Sequence, residues 1–169
     1  MEGYLKKIRE ELKINTDLKI KFTLLLFRLG GYFSHKKNFL SSVLYILLKI
    51  TYKFWVEYFL GIELPINTKV GFGLKINHGV GIVINHQSII GENVTLKHNV
   101  TIGCKTNQNN ECTKHTIIGN NVIINPHSCV IGVTVSDNVI IGAGSIVVKD
   151  VEKNSIIAGN PAILIRKIK

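Results

Sequence analysis

The stretch Leu64-Pro-Ile-Asn-Thr-Lys-Val70-Gly-Phe-Gly-Leu-Lys-Ile76-Asn-His-Gly-Val-Gly-Ile82 places an aliphatic residue at every sixth position. The series continues through Val94 and Val100, broken only by Ser88, and resumes at Ile118, Ile124 and Val130, then at Ile141 and Val147. Neither a helix period of 3.6 nor a strand period of 2 generates this spacing. A six-residue repeat does. Each unit makes one short strand and one tight turn, and three units make one triangular coil of a parallel β-helix. The aliphatic residue points inward and stacks on its equivalent in the next coil. The Gly or Asn that often follows, as in Val70-Gly71, Ile76-Asn77 and Ile141-Gly142, suits a corner. Val130-Ile-Gly-Val-Thr-Val135 returns after five residues and predicts a coil one residue short.

Outside the repeats, residues 1–60 read as helices and 61–169 as the β-helix with a C-terminal tail. The first sixty residues hold 11 Lys+Arg against 5 Asp+Glu, and the rest hold 10 against 6, so the chain's net charge of +10 is denser at the N-terminus. No helix-turn-helix, zinc-finger or aromatic-interleaved motif accompanies that charge, so nucleic acid is not an expected partner. An anionic membrane surface and a solvated basic face both fit it. Tyr52, Phe54, Trp55, Tyr58 and Phe59 interleave with lysines, as in peripheral membrane helices. Phe39–Leu48 gives only ten apolar residues before Lys49, short of a membrane span. A helical cap packed on the end of the coil or on a sister subunit remains the competing reading. Three cysteines, Cys104, Cys112 and Cys129, do not suggest a disulfide framework. Met1–Glu11 has no signal-peptide order, and the cytoplasm is the expected compartment.

Four of the six histidines fall between His78 and His115. A histidine whose second nitrogen is held by an acceptor serves as a general base near neutral pH. Glu63 precedes His78 by fifteen residues, close to one coil, which makes them a candidate acid–histidine pair. Gly103–Thr116 interrupts the repeat with polar residues and ends in Lys114-His115; such an insertion, extruded from a rigid coil, is a natural place for site residues. Cys104-x7-Cys112-x2-His115 matches no familiar zinc spacing, and no metal is expected.

These motifs resemble the hexapeptide-repeat (left-handed β-helix) acyltransferases, in the serine acetyltransferase-like branch, most nearly those of colanic acid and capsular polysaccharide synthesis. The resemblance is carried by Leu24–Phe33 before the repeats, Gly61-Ile-Glu-Leu64, Ile76-Asn-His-Gly-Val-Gly-Ile-Val-Ile84, Lys114-His115, and Ile157-Ala-Gly-Asn-Pro-Ala162. It implies a homotrimer with sites between subunits and acetyl transfer from acetyl-CoA to a hydroxyl. His78 would be the general base, Glu63 would orient its ring, and His115 would complete the site from the neighbouring subunit. Pro126, Ala143 and Lys149 fall where relatives contact CoA, and Arg166 with Lys167 would face its phosphates. Serine acetyltransferases carry Asp before the first histidine and Arg before the second to hold the amino acid. Here those positions, which would bind the acceptor, are Asn77 and Lys114. Lys lacks the bidentate grip of Arg on a carboxylate, which favours a carbohydrate hydroxyl over serine. Serine O-acetylation is the alternative within enzymes. A zinc-dependent, carbonic anhydrase-like protein using His78, His98 and His115 is the alternative of another class.

Overall fold

A computed structural model describes residues 2–168. Three helices, α1 (Glu2–Ile14), α2 (Leu18–Ser34) and α3 (Phe39–Tyr52), precede the coils, and α3 runs on into a π-helical segment, Lys53–Phe59. The side chain of Asn38 accepts from Ser41 N at 2.9 Å and starts α3. Helical structure is therefore unbroken across Lys49 and Lys53, so the apolar helix is longer than its uncharged run of sequence.

From Lys69 onward, short strands stack in parallel on three faces. One face holds Lys69–Val70, Ile89–Ile90, Ile117–Ile118 and Thr134–Val135. The second holds Lys75–Asn77, Thr95–Lys97, Ile123–Ile124, Val139–Ile141 and Ser155–Gly159. The third holds Val83–Ile84, Thr101–Gly103, Cys129–Ile131 and Ile146–Val147. Of the sixth-position series, every aliphatic residue is buried except Val70, which is half-buried.

The inward residues form two interleaved ladders, not the single one that the six-residue period suggests. Ile76 stacks on Leu96, whereas Ile82 is in register with Val100. The series changes ladder there because Lys75 pairs with Thr95 but Val83 with Thr101, which leaves two extra residues in the turn after Asn77. It changes again across the insertion, where Ile118 stacks on Ile90 and not above Val100. The interval between coils is 28 residues at the insertion, then 17 and 16. The short coil expected near Val135 is present. Gly132, at φ +59°, turns the corner, and its N–H donates to Thr116 Oγ1 at 2.8 Å.

Corners are built from Asn as often as from Gly. Asn93, Asn121, Asn138 and Asn154 all take left-handed φ near +56°, and the last three share side-chain hydrogen bonds of 3.1 and 2.9 Å. Gly71, Gly91 and Gly119 answer a different need. A Cβ on Gly91 would lie 2.6 Å from the backbone of Gly119, so glycine permits the coils to approach.

The two ends of the sheet stack are covered differently. At the first, the buried Glu11–Arg28 pair stands in for a missing coil. Arg28 Nε and Nη2 donate to Glu11 at 2.8 and 2.6 Å, and its guanidinium also donates to Val70 O and Gly71 O. Glu11 Oε1 accepts from Leu74 N, and Asn15 takes Ile76 N and gives to Leu74 O, each at 2.9 Å. These side chains satisfy an edge that would otherwise present unpaired peptide groups. Tyr52 adds a 2.6 Å hydrogen bond to Leu64 O, and burial pushes its phenol far above the usual range. Helices and coils share one apolar core that runs from Ile20 to Ile157. At the other end, Ala162–Lys167 folds back antiparallel on Ser155–Gly159, so Arg166 and Lys167 lie on a strand.

Candidate active site

His78 sits at a corner with φ +54°, a backbone region uncommon outside glycine and somewhat favoured by Asn, Asp and His. Its ring is exposed and lies 6.3 Å from that of His98, which lies 5.1 Å from His127 on the next coil. The three rings form an edge-to-face column along one side of the prism. Asn99 Nδ2 lies 3.4 Å from His127 Nδ1 in the same column. The His78–His98–His115 trio considered for zinc is therefore not what one chain assembles; His127 holds the third place in the column. Among the described residues, no group of three His, Cys, Asp or Glu side chains has the geometry to hold a metal ion.

Glu63 is exposed and stands in register with Val83, its backbone exchanging hydrogen bonds with Ile82 O and Ile84 N at 2.8 and 2.7 Å. The two extra residues after Asn77 place it beside the strand that follows His78, and among the described residues no hydrogen bond joins the two side chains within one chain. Asn77, half-buried, ends the strand that leads into the His78 corner and pairs with Lys97.

The polar insertion is a two-stranded hairpin, Lys105–Thr106 against Cys112–Lys114. Asn107 Oδ1 closes its turn by accepting from Asn109 N and Glu111 N, each at 2.9 Å. Cys104 and Cys112 face each other across its base, with Cα atoms 5.7 Å apart. Cys129 stands apart from them on the third face as a free thiol. His115 is half-buried at the end of the hairpin, its Nδ1 3.1 Å from Cys112 Sγ. Thr116, fully buried, donates to Gly103 O and anchors the hairpin to the coil.

Lys114 is bound to a partner that sequence reasoning missed. Its Nζ lies 2.9 and 3.2 Å from the two carboxylate oxygens of Asp150, whose Oδ1 also accepts from Thr134 N at 2.8 Å. The Thr134 N–H, and then the Lys114 ammonium, hold the Asp150 carboxyl below the usual carboxylate range. Nothing in the local sequence marks this contact, because the partners are 36 residues apart and meet only through the 17-residue coil step.

Of the residues expected to face CoA, Pro126 and Ala143 are neighbours on successive coils, since Gly144 N donates to Pro126 O at 2.9 Å. Lys149 and Lys167 line a cleft of about 400 Å³ with Val147, Ile157, Pro161 and Leu164. Lys167 is also held by Glu152 at 2.7 Å, whereas Arg166 has no carboxylate partner among the described residues.

A three-sided parallel coil with a histidine at a corner and a second beside an extruded hairpin has the architecture of the hexapeptide-repeat transferases. No family model matches the chain. It is 32% identical over 126 residues to the "Putative colanic acid biosynthesis acetyltransferase WcaB" of Escherichia coli strain K12, a match that covers 73% of this chain and 76% of that protein. It is 38% identical over 76 residues to the serine acetyltransferase of Staphylococcus epidermidis strain RP62A, covering 45% of this chain and 35% of the relative. Among solved structures, the serine acetyltransferase of Brucella abortus strain S19 superposes with a TM-score of 0.78 at 20% identity, over 99% of this chain and 70% of that one. The chain belongs to the left-handed β-helix acetyltransferases of the serine acetyltransferase-like branch.

Proposed function

We propose that the protein transfers an acetyl group from acetyl-CoA to a sugar hydroxyl of a capsular or exopolysaccharide, or of its precursor. The observation that carries the choice of acceptor is the Lys114–Asp150 pair. A cation already neutralised by its own chain makes a poor docking point for the carboxylate of an amino acid. With Asn77 as the other acceptor-facing residue, these two positions offer hydrogen bonds and no free charge of either sign for a zwitterion. The colanic acid relative supports the same choice.

In this reading the enzyme is a trimer, and each site lies between subunits, with His78 from one chain and the hairpin's His115 from the next. His78 takes the proton of the acceptor hydroxyl as its oxygen attacks the thioester carbonyl. The tetrahedral oxyanion collapses, the C–S bond breaks, and the departing thiolate recovers the proton from the imidazolium. A base so placed contributes roughly 10²–10⁴-fold, and backbone amides of the coil stabilise the oxyanion. Glu63 orients His78, and His115 contacts the acceptor or the oxyanion. The cleft with Lys149 and Lys167, together with Pro126, Ala143 and Arg166, receives the CoA arm and its phosphates. Acetyl-CoA is an intracellular donor, so we place the enzyme in the cytoplasm, at the inner face of the membrane where lipid-carried glycans are built.

The test is thiol release from acetyl-CoA, with capsular oligosaccharide in one assay and L-serine in another. Release with oligosaccharide that is lost in His78→Ala supports the reading. Release with serine alone overturns it.

A further inference from the structure

The molecule's largest unexplained feature is the outer face of the helix that runs from Phe39 to Phe59. Its inner side, Ser41, Tyr52 and Val56, is packed on the core. The opposite side is equally apolar yet open. Phe39 is 86% exposed, Leu40 76%, Phe54 68% and Tyr58 73%, with Ile46, Leu47 and Ile50 more than half exposed between them. The steps from Phe39 to Val43, Leu47, Ile50, Phe54 and Tyr58 are four, four, three, four and four residues, so these side chains make one continuous stripe. Leu18 and Phe22 of α2 widen it, Phe22 edge-on to Trp55, which stacks on Phe59. A contiguous apolar surface of this kind marks a contact site.

Charge selects the occupant. Between His35 and Leu60 the chain carries Lys36, Lys37, Lys49 and Lys53 against Glu57 alone, and all four lysines are exposed. A second copy docked through the same face would set four lysines against four lysines, because a two-fold contact pairs a surface with itself. An anionic lipid surface complements both the stripe and its cationic border. Insertion across the bilayer is disfavoured by the structure, although the helix is long enough. Its inner stripe belongs to the core, Tyr52 is hydrogen-bonded to Leu64 O, and Lys49 and Lys53 fall in mid-helix.

We infer that the outer face of α3 and its π-helical extension docks in the plane of an anionic phospholipid surface, with Phe39, Leu47, Ile50, Phe54 and Tyr58 in the acyl boundary and the lysines at the headgroups. This deepens, and rests on, the placement of the enzyme at the membrane's inner face. It names the surface responsible, and it is tested apart from catalysis.

The experiment uses the full-length protein with vesicles of equimolar phosphatidylglycerol and phosphatidylethanolamine, and with phosphatidylcholine vesicles as the uncharged control. Wild type sediments with the anionic vesicles, and less so as salt rises. Leu47→Gln/Phe54→Gln and, separately, Lys49→Glu/Lys53→Glu each lower the partition coefficient about tenfold or more. Their circular dichroism, particle mass by light scattering and thiol release with a soluble acceptor stay unchanged, since none of these side chains is in the core or the site. Failure of wild type to bind anionic vesicles overturns the inference, as does equal binding to phosphatidylcholine. A change in particle mass in the apolar variant would make the face a subunit contact and also overturn it. Vesicle binding without acetyl transfer would remove the proposed activity and leave the docking surface standing.

Discussion

Glu11→Gln is the substitution whose cost the structure specifies best. Glu11 is 1% exposed and its carboxylate accepts from Arg28 Nε, Arg28 Nη2 and Leu74 N. Arg28 is 5% exposed and has no other carboxylate among its hydrogen-bond partners; its remaining donations go to Val70 O and Gly71 O. An amide at position 11 keeps one acceptor oxygen and leaves the guanidinium buried without a counter-charge. Breaking a buried pair in this way costs about 3–5 kcal/mol, against a total stability on the order of 5–15 kcal/mol. For a chain of this size that is a fall in Tm of about 6–20 °C. Urea denaturation at fixed protein concentration, followed by circular dichroism, reads the loss. Arg28→Met should cost a similar amount, and the double variant should be milder than the sum by about 2 kcal/mol or more, because the second change removes a group already orphaned. Additivity within about 0.5 kcal/mol would refute the reasoning and show that the two side chains act as separate caps. The consequence reaches the site, because Leu74 and Ile76 are held by Glu11 and Asn15 immediately before the corner that presents His78. Turnover by Glu11→Gln should therefore fall at temperatures where the coil is still folded.

Asp150→Ala should release Lys114 and raise the ratio of serine turnover to glycan turnover, measured as kcat/KM for each acceptor. The carboxyl of Asp150 is held below its ordinary value of 3.8 by the Thr134 N–H and Lys114. A depressed pKa contributes stability that is present above 3.8 and lost as pH falls through the lower, folded value, so the contact should persist across the whole neutral range; carboxyl carbon shifts against pH check this. Gly91→Ala should destabilise by about 1–3 kcal/mol in denaturant melts, since its Cβ would meet the Gly119 backbone at 2.6 Å. Burial pushes the Cys129 thiol up, so alkylation by iodoacetamide near pH 8 should be slow in the native protein and fast in urea, followed by mass spectrometry.

The coil was legible in the sequence because its period comes from a local rule: one aliphatic residue per strand and one turn after it. Phase was less legible. A turn lengthened by two residues after Asn77 moves the series from the ladder of Ile76 and Leu96 to that of Ile82 and Val100, and a six-residue count cannot register the change since both positions point inward. The same lengthened turn sets Glu63 in register with Val83, twenty residues on, where an unmodified coil of six-residue units would take eighteen. The cap was legible only as apolar helices. Its polar clamp uses Glu11, Asn15 and Arg28, which read as surface charges until the open edge of the first coil supplies their partners.

The candidate site residues divide along the same line. His78 and Lys114-His115 could be found from motif and position, because a corner and an insertion are both visible as breaks in the repeat. Asp150 could not be found, yet it determines what Lys114 can do. Read alone, a lysine where relatives carry arginine is a weakened carboxylate clamp. Read with Asp150 at 2.9 Å, it is a cation already paired within its own chain, and the role we propose for it passes from gripping a charged acceptor to fixing the hairpin that carries His115. The coil step of 17 residues between Ile117 and Thr134 brings Thr134 N onto the same carboxylate, so the shortened coil helps to position the latch. In the proposed reading, acceptor choice thus rests on a contact between coils, which a repeat-by-repeat reading passes over, while the proposed acetyl-transfer chemistry rests on residues that the repeat and its interruption make conspicuous.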